Sequence, residues 1–446
     1  MKTGKLHYAW IILVACCMLQ VAGIGIMSTT SSSFITAVCS DKNLTFVNAA
    51  YQKVYDTKYD ELVKGGTDTA EAKTQATAYA EKQYITTATP NFSLYMVLQG
   101  LITGVTLFFV NKLLKKFDVR VILLAGTIIT VGTFALMSTF TQLLQWYGAG
   151  IVLGISTGII WFLPSVVMLG NWFRKHLGLA MGISTASAYI TGMAFNPIVS
   201  KVFVANWGWA GAYRAIAVIS LVISLCAIVL VRLKPEDKGM AALGSDDVEA
   251  MKALAAQYAS PAANAGVEAK TAFRSAAFVL IVIAESLVAY NATHVNVLGN
   301  FGVKIGLGAN YAFILSAILL GGILLRILYG FLNDKIGLKK TILIGVIVEI
   351  IGFLALIYAD NAGNIPVAFF GAFLIGSMSA ISGTINPILV RQTFGGKNFG
   401  AIYGRVVGIV AIFGSLAVFV VTTIAKVASY SITFGIAIVF CLVICV

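Results

Sequence analysis

Five ionisable side chains stand inside stretches of sequence that are otherwise apolar: Glu285, His294, Arg326, Glu349 and Arg405. A charge at the centre of a bilayer costs about 2.5 to 3.5 kcal/mol on insertion scales, so residues of this kind usually face a cavity and serve a function. Arg326 is the clearest case, because it lies eight residues before Asp334, roughly 12 Å deeper along a helix rising 1.5 Å per residue. Its planar fork can take both oxygens of one carboxylate and it stays charged at any physiological pH. The competing roles are a structural ion pair and a snorkelling side chain. Arg405, eight residues after Lys397 on a stretch running the other way, is expected at the same depth, and two such cations would suit a dicarboxylate. A position facing the helix interface or the cytoplasm is its other reading. Glu285 and Glu349 are candidate proton sites, and either could equally neutralise an arginine. His294 is a candidate ligand or titrating group. Tyr290 and Trp161 are candidate lining residues, with packing as the plainer role for an aromatic in a span.

The elements that must position these groups are twelve hydrophobic stretches, at 8–38, 92–112, 119–140, 143–170, 177–204, 209–233, 273–300, 309–332, 340–359, 365–391, 398–424 and 428–446. About 20 apolar residues suffice to cross a bilayer as a helix, and lipid leaves helices as the form such stretches take. With 59% apolar and 11% charged residues, the chain is an all-α membrane protein rather than a soluble domain. Lys2 and Lys5 precede the first stretch, which lacks a small-residue cleavage site and is expected to be retained. The six cysteines fall almost entirely in spans and imply no disulfide framework. The net charge of +13 does not point to nucleic acid, because Lys112, Lys115, Lys116, Arg120, Arg174, Lys175, Lys335, Lys339, Lys340 and Lys397 occupy alternate short loops. That bias predicts a cytoplasmic N-terminus and central segment, in the plasma (inner) membrane.

Two segments are not membrane. Residues 39–91 combine helix-favouring runs, Val47 to Val63 and Asp68 to Tyr84, with a break at Gly65-Gly66 and a stop at Pro90; a small helical hairpin over the outer mouth is expected, against a mobile loop. Residues 234–272 form a linker, which divides the chain into a bundle over 1–233 and a second over 273–446. The halves repeat. His176-Leu-Gly-Leu-Ala-Met-Gly182 matches Asn398-Phe-Gly-Ala-Ile-Tyr-Gly404 at an offset of 222, and Pro164 and Pro387 sit at nearly the same offset. Two six-helix bundles related by a pseudo-twofold axis predict a binding site between them near the midplane, the geometry of a transporter. Gly148, Gly150, Gly154 and Gly158 would let helices approach closely. Asn196-Pro197 and Asn386-Pro387 are expected to kink or open their helices, and Tyr213-Arg214 to anchor at the headgroups.

Between the eighth and ninth stretches runs Gly330-Phe-Leu-Asn-Asp334-Lys335-Ile-Gly337-Leu-Lys339-Lys340. It resembles the G-x-x-x-D-R/K-x-G-x-R/K-R/K loop of the major facilitator superfamily. Gly330 would permit close helix contact, Asp334 would meet a neighbouring helix N-terminus, Gly337 would make the turn and Lys335 would hold the loop at the headgroups, so the expected role is gating. The first-half loop, Lys115-Lys116-Phe-Asp118-Val-Arg120, departs from that pattern, with Lys115 where the acid would be. Asn171-Trp-Phe-Arg-Lys-His-Leu-Gly-Leu-Ala-Met-Gly182 is similar to the W-F-x-x-x-x-G-L-A-x-G segment of oxalate/formate antiporters and monocarboxylate transporters. That resemblance implies exchange or symport of small carboxylates. It also puts Arg326, four residues before Gly330, at the family's substrate-binding arginine, and Phe162 at one ring of the oxalate carrier's aromatic cage. The oxalate carrier's lysine falls at Val406, beside Arg405. Ser379 and Gly383 replace two of that carrier's rings, so a wider cavity and a carboxylate larger than oxalate are expected. Gly322 stands where animal-type carriers have an acidic residue, which weakens the case for proton coupling.

The expected function is thus a secondary carrier of a small organic anion, a mono- or dicarboxylate, working by alternating access as a monomer, with no cofactor and no metal. The alternative is a carrier of a neutral or cationic solute that uses Glu285 or Glu349. A membrane enzyme would need a ligand cluster or nucleophile motif, and the three histidines are widely separated.

Overall fold

A computed structural model of the chain describes residues 7–247, 266–307 and 312–444. Among these, ten helical stretches are long and apolar enough to span a membrane: Tyr8–Ser28, Thr69–Lys116, Val119–Met137, Leu143–Trp172, Leu177–Leu230, Ala276–Leu307, Phe313–Ile336, Leu338–Ala362, Ile365–Phe394 and Phe399–Val427. Leu177–Leu230 is two spans, because Gly208 leaves the helical region with φ 67 and ψ 176. The apolar helix Tyr430–Ile444 completes twelve. The surface agrees with this solvent: Leu280, Val229, Phe419 and Val427 are each at least 65% exposed where a soluble protein would place charge.

Two expected boundaries move. The first span stops at Ser28 and resumes as a short helix over Ser31–Cys39. Hydroxyls of Thr29 and Thr30 donate to the carbonyls of Gly25 and Ile26 at 2.5 Å, competing with the main-chain ladder at the break. The second span does not start after Pro90. One helix, Thr69–Lys116, runs through Pro90, and the hydroxyls of Thr87 and Thr89 donate back to Gln83 and Ile85 at 3.2 and 2.7 Å around the proline. The insertion is the expected hairpin: Thr45–Lys64 packs along the first part of that long helix, with Ala72, Ala76 and Ala80 fully buried between them. It is tied to the first bundle, by Thr45 to the Thr141 carbonyl at 2.9 Å and Trp209 to Asp41 at 2.9 Å. Tyr213, expected at the headgroups, is instead 1% exposed and stacked on Phe34 at 3.9 Å within a cluster holding Trp146. Arg214 donates to Ser138 at 3.0 Å.

Wide π-helical turns interrupt the spans in matching places. Gly158–Phe162 precedes Pro164 in the fourth, and Ile381–Ile385 precedes Pro387 in the tenth. A proline supplies no amide and its ring crowds the preceding turn, so the helix widens there. Gly150, Gly154 and Gly158 face the second span, where an added Cβ would meet the Tyr95 carbonyl, the Gln99 carbonyl and Thr106, whereas Gly148 faces open space.

The described ends of the linker dock on two pseudo-equivalent loops. Leu243 pairs with Phe173, and Lys175 binds Asp247 at 3.0 Å. The Val267 amide donates to Phe394 at 2.9 Å, and Lys397 binds Glu268 at 2.9 Å. Lys175 and Lys397 are 222 residues apart, the repeat offset. Lys397 beside Glu268 holds its carboxyl below the usual range. Glu249 lies outside the described residues.

Candidate functional site

The bundles meet along two helix pairs, the fifth span with the eighth and the second with the eleventh. On the side of the linker, the fifth and eighth spans touch backbone to backbone. An added Cβ on Gly330 would strike the Gly178 carbonyl, and one on Gly182 would lie 2.6 Å from the Arg326 carbonyl. Asp334 closes this end, since its two oxygens accept from the Gly178 and Leu179 amides at 3.0 Å each. Those are the first amides of the fifth span, which have no partner within their own helix and carry the positive end of its dipole. Gly337, at φ 83, turns the chain into the ninth span, and Lys335 lies over Phe331 at 4.6 Å.

Arg326 lies roughly 15 Å from the linker end of its helix, counted over the ten residues to Ile336. It is 2% exposed. Nη1 donates to the Gly322 carbonyl at 3.0 Å and Nη2 to the Ser379 carbonyl at 2.7 Å, while Nε–H has no partner. The ring of Tyr189, on the fifth span, covers one face of the guanidinium at 3.5 Å. An added Cβ on Gly383 would be 3.5 Å from Nε. Thr185 and Thr384 meet across the seam at 3.2 Å. Among the described residues no carboxylate forms an ion pair with Arg326. It is a buried cation held only by neutral groups.

The acids lie elsewhere. Glu285 is 3% exposed, with Oε2 unpartnered, beside Asn386 and Tyr403. Glu349 is fully buried; Oε1 accepts from Asn291 at 2.6 Å and from the Cys441 thiol at 3.1 Å. Both sit among helices of the second bundle, and neither neutralises an arginine in the described residues.

Three expected site residues are not brought to Arg326. Arg405 is exposed, its guanidinium 3.7 Å over the Phe273 ring, while Gly404 on the adjacent position faces the Leu107 carbonyl of the first bundle. One residue turns a helix by about 100°, and that rotation separates Arg405 from the seam. His294 is fully buried in the second bundle, its Nδ1 2.8 Å from the Asn291 carbonyl and Nε2 3.3 Å from the Thr433 carbonyl. Tyr290 packs on His294 and Phe440. The side chains of Phe162 and Trp161 lie outside the described residues. Sequence reasoning missed Tyr189, an isolated tyrosine with no motif around it, and Arg391, a guanidinium 6% exposed that packs against Gly170 of the other bundle. No group of three or more metal-binding side chains occurs among the described residues.

A family model described as Major Facilitator Superfamily matches residues 74–308 and 275–446. The chain belongs to the Major Facilitator Superfamily. It is similar to an uncharacterised transporter, ESBP6, of Saccharomyces cerevisiae, 27% identical over 66% of this chain and 43% of that one. The chain therefore spans less than half of that relative. It is 26% identical to the uncharacterised MFS-type transporter YhjX of Escherichia coli, over 66% of this chain and 70% of that one. Monocarboxylate transporter 3 of Gallus gallus is 27% identical over 29% of this chain and 23% of its own. Among solved structures, the human organic anion transporter MFSD10 superposes with a TM-score of 0.65 at 14% identity, covering 98% of this chain and 97% of that one. The proton:xylose symporter XylE superposes at 0.62 and 13% identity, over 98% and 94%. At such identities these two structures speak for the fold alone, a superfamily architecture of two helix bundles. Both of these curated relatives, ESBP6 and YhjX, are described as transporters.

Proposed function

We propose that this transporter is a secondary carrier of a small organic anion, a mono- or dicarboxylate, that moves its substrate by alternating access, through exchange or coupling to an ion. The observation that carries the proposal is Arg326: a buried guanidinium at the seam, with a free Nε–H and no counter-charge among the described residues. Leaving a cation so placed costs several kcal/mol unless something anionic completes it. A carboxylate does so with two parallel hydrogen bonds. The partial likeness to a monocarboxylate transporter points the same way.

In this proposal Asp334, Gly330, Lys335 and Gly337 form the gate on the linker side, and Glu285 or Glu349 is the place a coupling proton would rest. The loop cations favour a plasma-membrane orientation with the N-terminus and linker in the cytoplasm, and the carrier works as a monomer. Use of Glu285 or Glu349 for a neutral or cationic solute is the weaker alternative, because their surroundings are the interior of one bundle rather than the seam.

The test is counterflow. Purified protein in liposomes, preloaded with unlabelled carboxylates, is offered labelled oxalate, formate, lactate and succinate in turn. The wild type should accumulate at least one, and Arg326→Gln none, at equal expression. Uptake by Arg326→Gln at the wild-type rate would show the substrate assignment to be wrong.

A further inference from the structure

Arg326 and the ring that covers it come from different bundles. Arg326 is on the eighth span and Tyr189 on the fifth, and the 3.5 Å separation is van der Waals contact, too close for water or an anion to lie between them. We infer that Tyr189 is a positioning residue of the anion site, lent by the opposite bundle, so that the site is complete only while the linker side of the seam is closed. This inference rests on the organic-anion reading of Arg326.

An arginine has five N–H donors in one plane. Two carbonyls take one from each terminal nitrogen, and the Tyr189 ring blocks one flat face. The Nε–H and one N–H on each terminal nitrogen remain, and Gly383 leaves the edge carrying the Nε–H without a side chain. A carboxylate must therefore come in edge-on, in the plane of the guanidinium, which is the orientation that allows two parallel hydrogen bonds. The ring also supplies its negative face to the cation, stabilising the one pose that presents that edge.

Arg326 is anchored to its own bundle, through Gly322 on its own helix and Ser379 on the tenth span. Tyr189 is part-exposed and belongs to the fifth span, which is held to the eighth by Gly178, Gly182, Gly330 and Asp334. When the linker side opens, the fifth span leaves the eighth and carries the ring away, while both carbonyl contacts stay. The anion site then keeps its charge and loses its platform. Affinity is higher from the insertion side than from the linker side, and release toward the linker side needs no other trigger.

Three forms of residue 189 test this in oriented proteoliposomes, with labelled oxalate, formate, lactate and succinate as probes and KM measured from each side. Tyr189→Phe keeps the ring and should leave both KM values within about twofold. Tyr189→Leu keeps the bulk without the aromatic face and should raise KM from the insertion side by about tenfold, the scale of a desolvated cation–π contact, while KM from the linker side stays put. Fluorinated phenylalanines at 189 keep ring and fold together while draining the ring of negative charge, and should raise the insertion-side KM stepwise with each fluorine. Unchanged KM across the fluorinated series, or an equal rise on both sides in Tyr189→Leu, overturns the inference while Arg326→Gln still upholds the anion reading. A wild type that carries none of the four anions overturns both.

Discussion

The two seams between the bundles are built differently. The second and eleventh spans meet through small neutral groups: Gly104 against the Gly408 carbonyl, Gly404 against the Leu107 carbonyl, Gly100 against the Ser415 hydroxyl and Gly400 against Asn111. The fifth and eighth spans also use glycines, but add a carboxylate on two helix-terminal amides and a guanidinium under an aromatic ring. Among the described residues, the second of these pairs is the one that carries charged groups at its contact. The neutral seam offers close packing of small residues, and the charged one is where the proposed anion would change an interaction energy. The degenerate first-half loop fits this division, because Asp118 caps its own helix at the Arg120 amide, at 2.7 Å, and reaches no helix of the other bundle in the way Asp334 does.

The largest effects should come from filling either seam. Gly330→Val and Gly408→Val each push a branched side chain onto a facing carbonyl, a strain of about 1–3 kcal/mol for overpacked sites. Both should cut uptake at least about tenfold, with the distance between spin labels at 175 and 335 lengthened in Gly330→Val. Asp334→Asn comes next. It retains an acceptor and loses the charge on it, worth about 1 kcal/mol at a partly solvated site. The same label pair should show a larger open fraction, and Gly408→Ala should leave the response of that distance to salt unchanged while Asp334→Asn abolishes it. The smallest effect belongs to the linker straps. Because Lys397 depresses the Glu268 carboxyl below its ordinary 4.5, the pairing is fully present at pH above that value and is lost only as pH falls through the depressed one. Transport rates of wild type and Lys397→Ala should thus coincide between pH 6 and 8 to within about twofold, since exposed pairs of this type contribute little.

Much of this was legible in the residues. Twelve spans follow from hydropathy because runs of about 20 apolar residues cross lipid as helices, and the Gly330 to Lys340 loop carries its latch in local sequence, so Asp334 is expected at a helix N-terminus. Helix rotation was not legible: Arg405 has the right depth and the wrong azimuth, and a one-residue uncertainty in register covers that whole difference. Nor was the partner of Arg326. Tyr189 and Arg326 are 137 residues apart on different bundles, and no spacing rule links them. His294, a candidate ligand, and Tyr290, a candidate lining residue, miss the seam for a related cause, since a polar aromatic in a span can turn to the seam or to its own bundle, and here both turn to their own.

In the proposed mode, Arg326 receives a carboxylate through two hydrogen bonds from its open edge. Equilibrium binding of labelled oxalate, formate, lactate and succinate to purified Arg326→Lys, beside the wild type, tests it most directly, because lysine keeps the charge and removes the fork. The account predicts saturable binding of at least one anion by the wild type and a loss of at least about tenfold in affinity with lysine, the scale of one charge-assisted hydrogen bond. Equal affinity in the two proteins would contradict it.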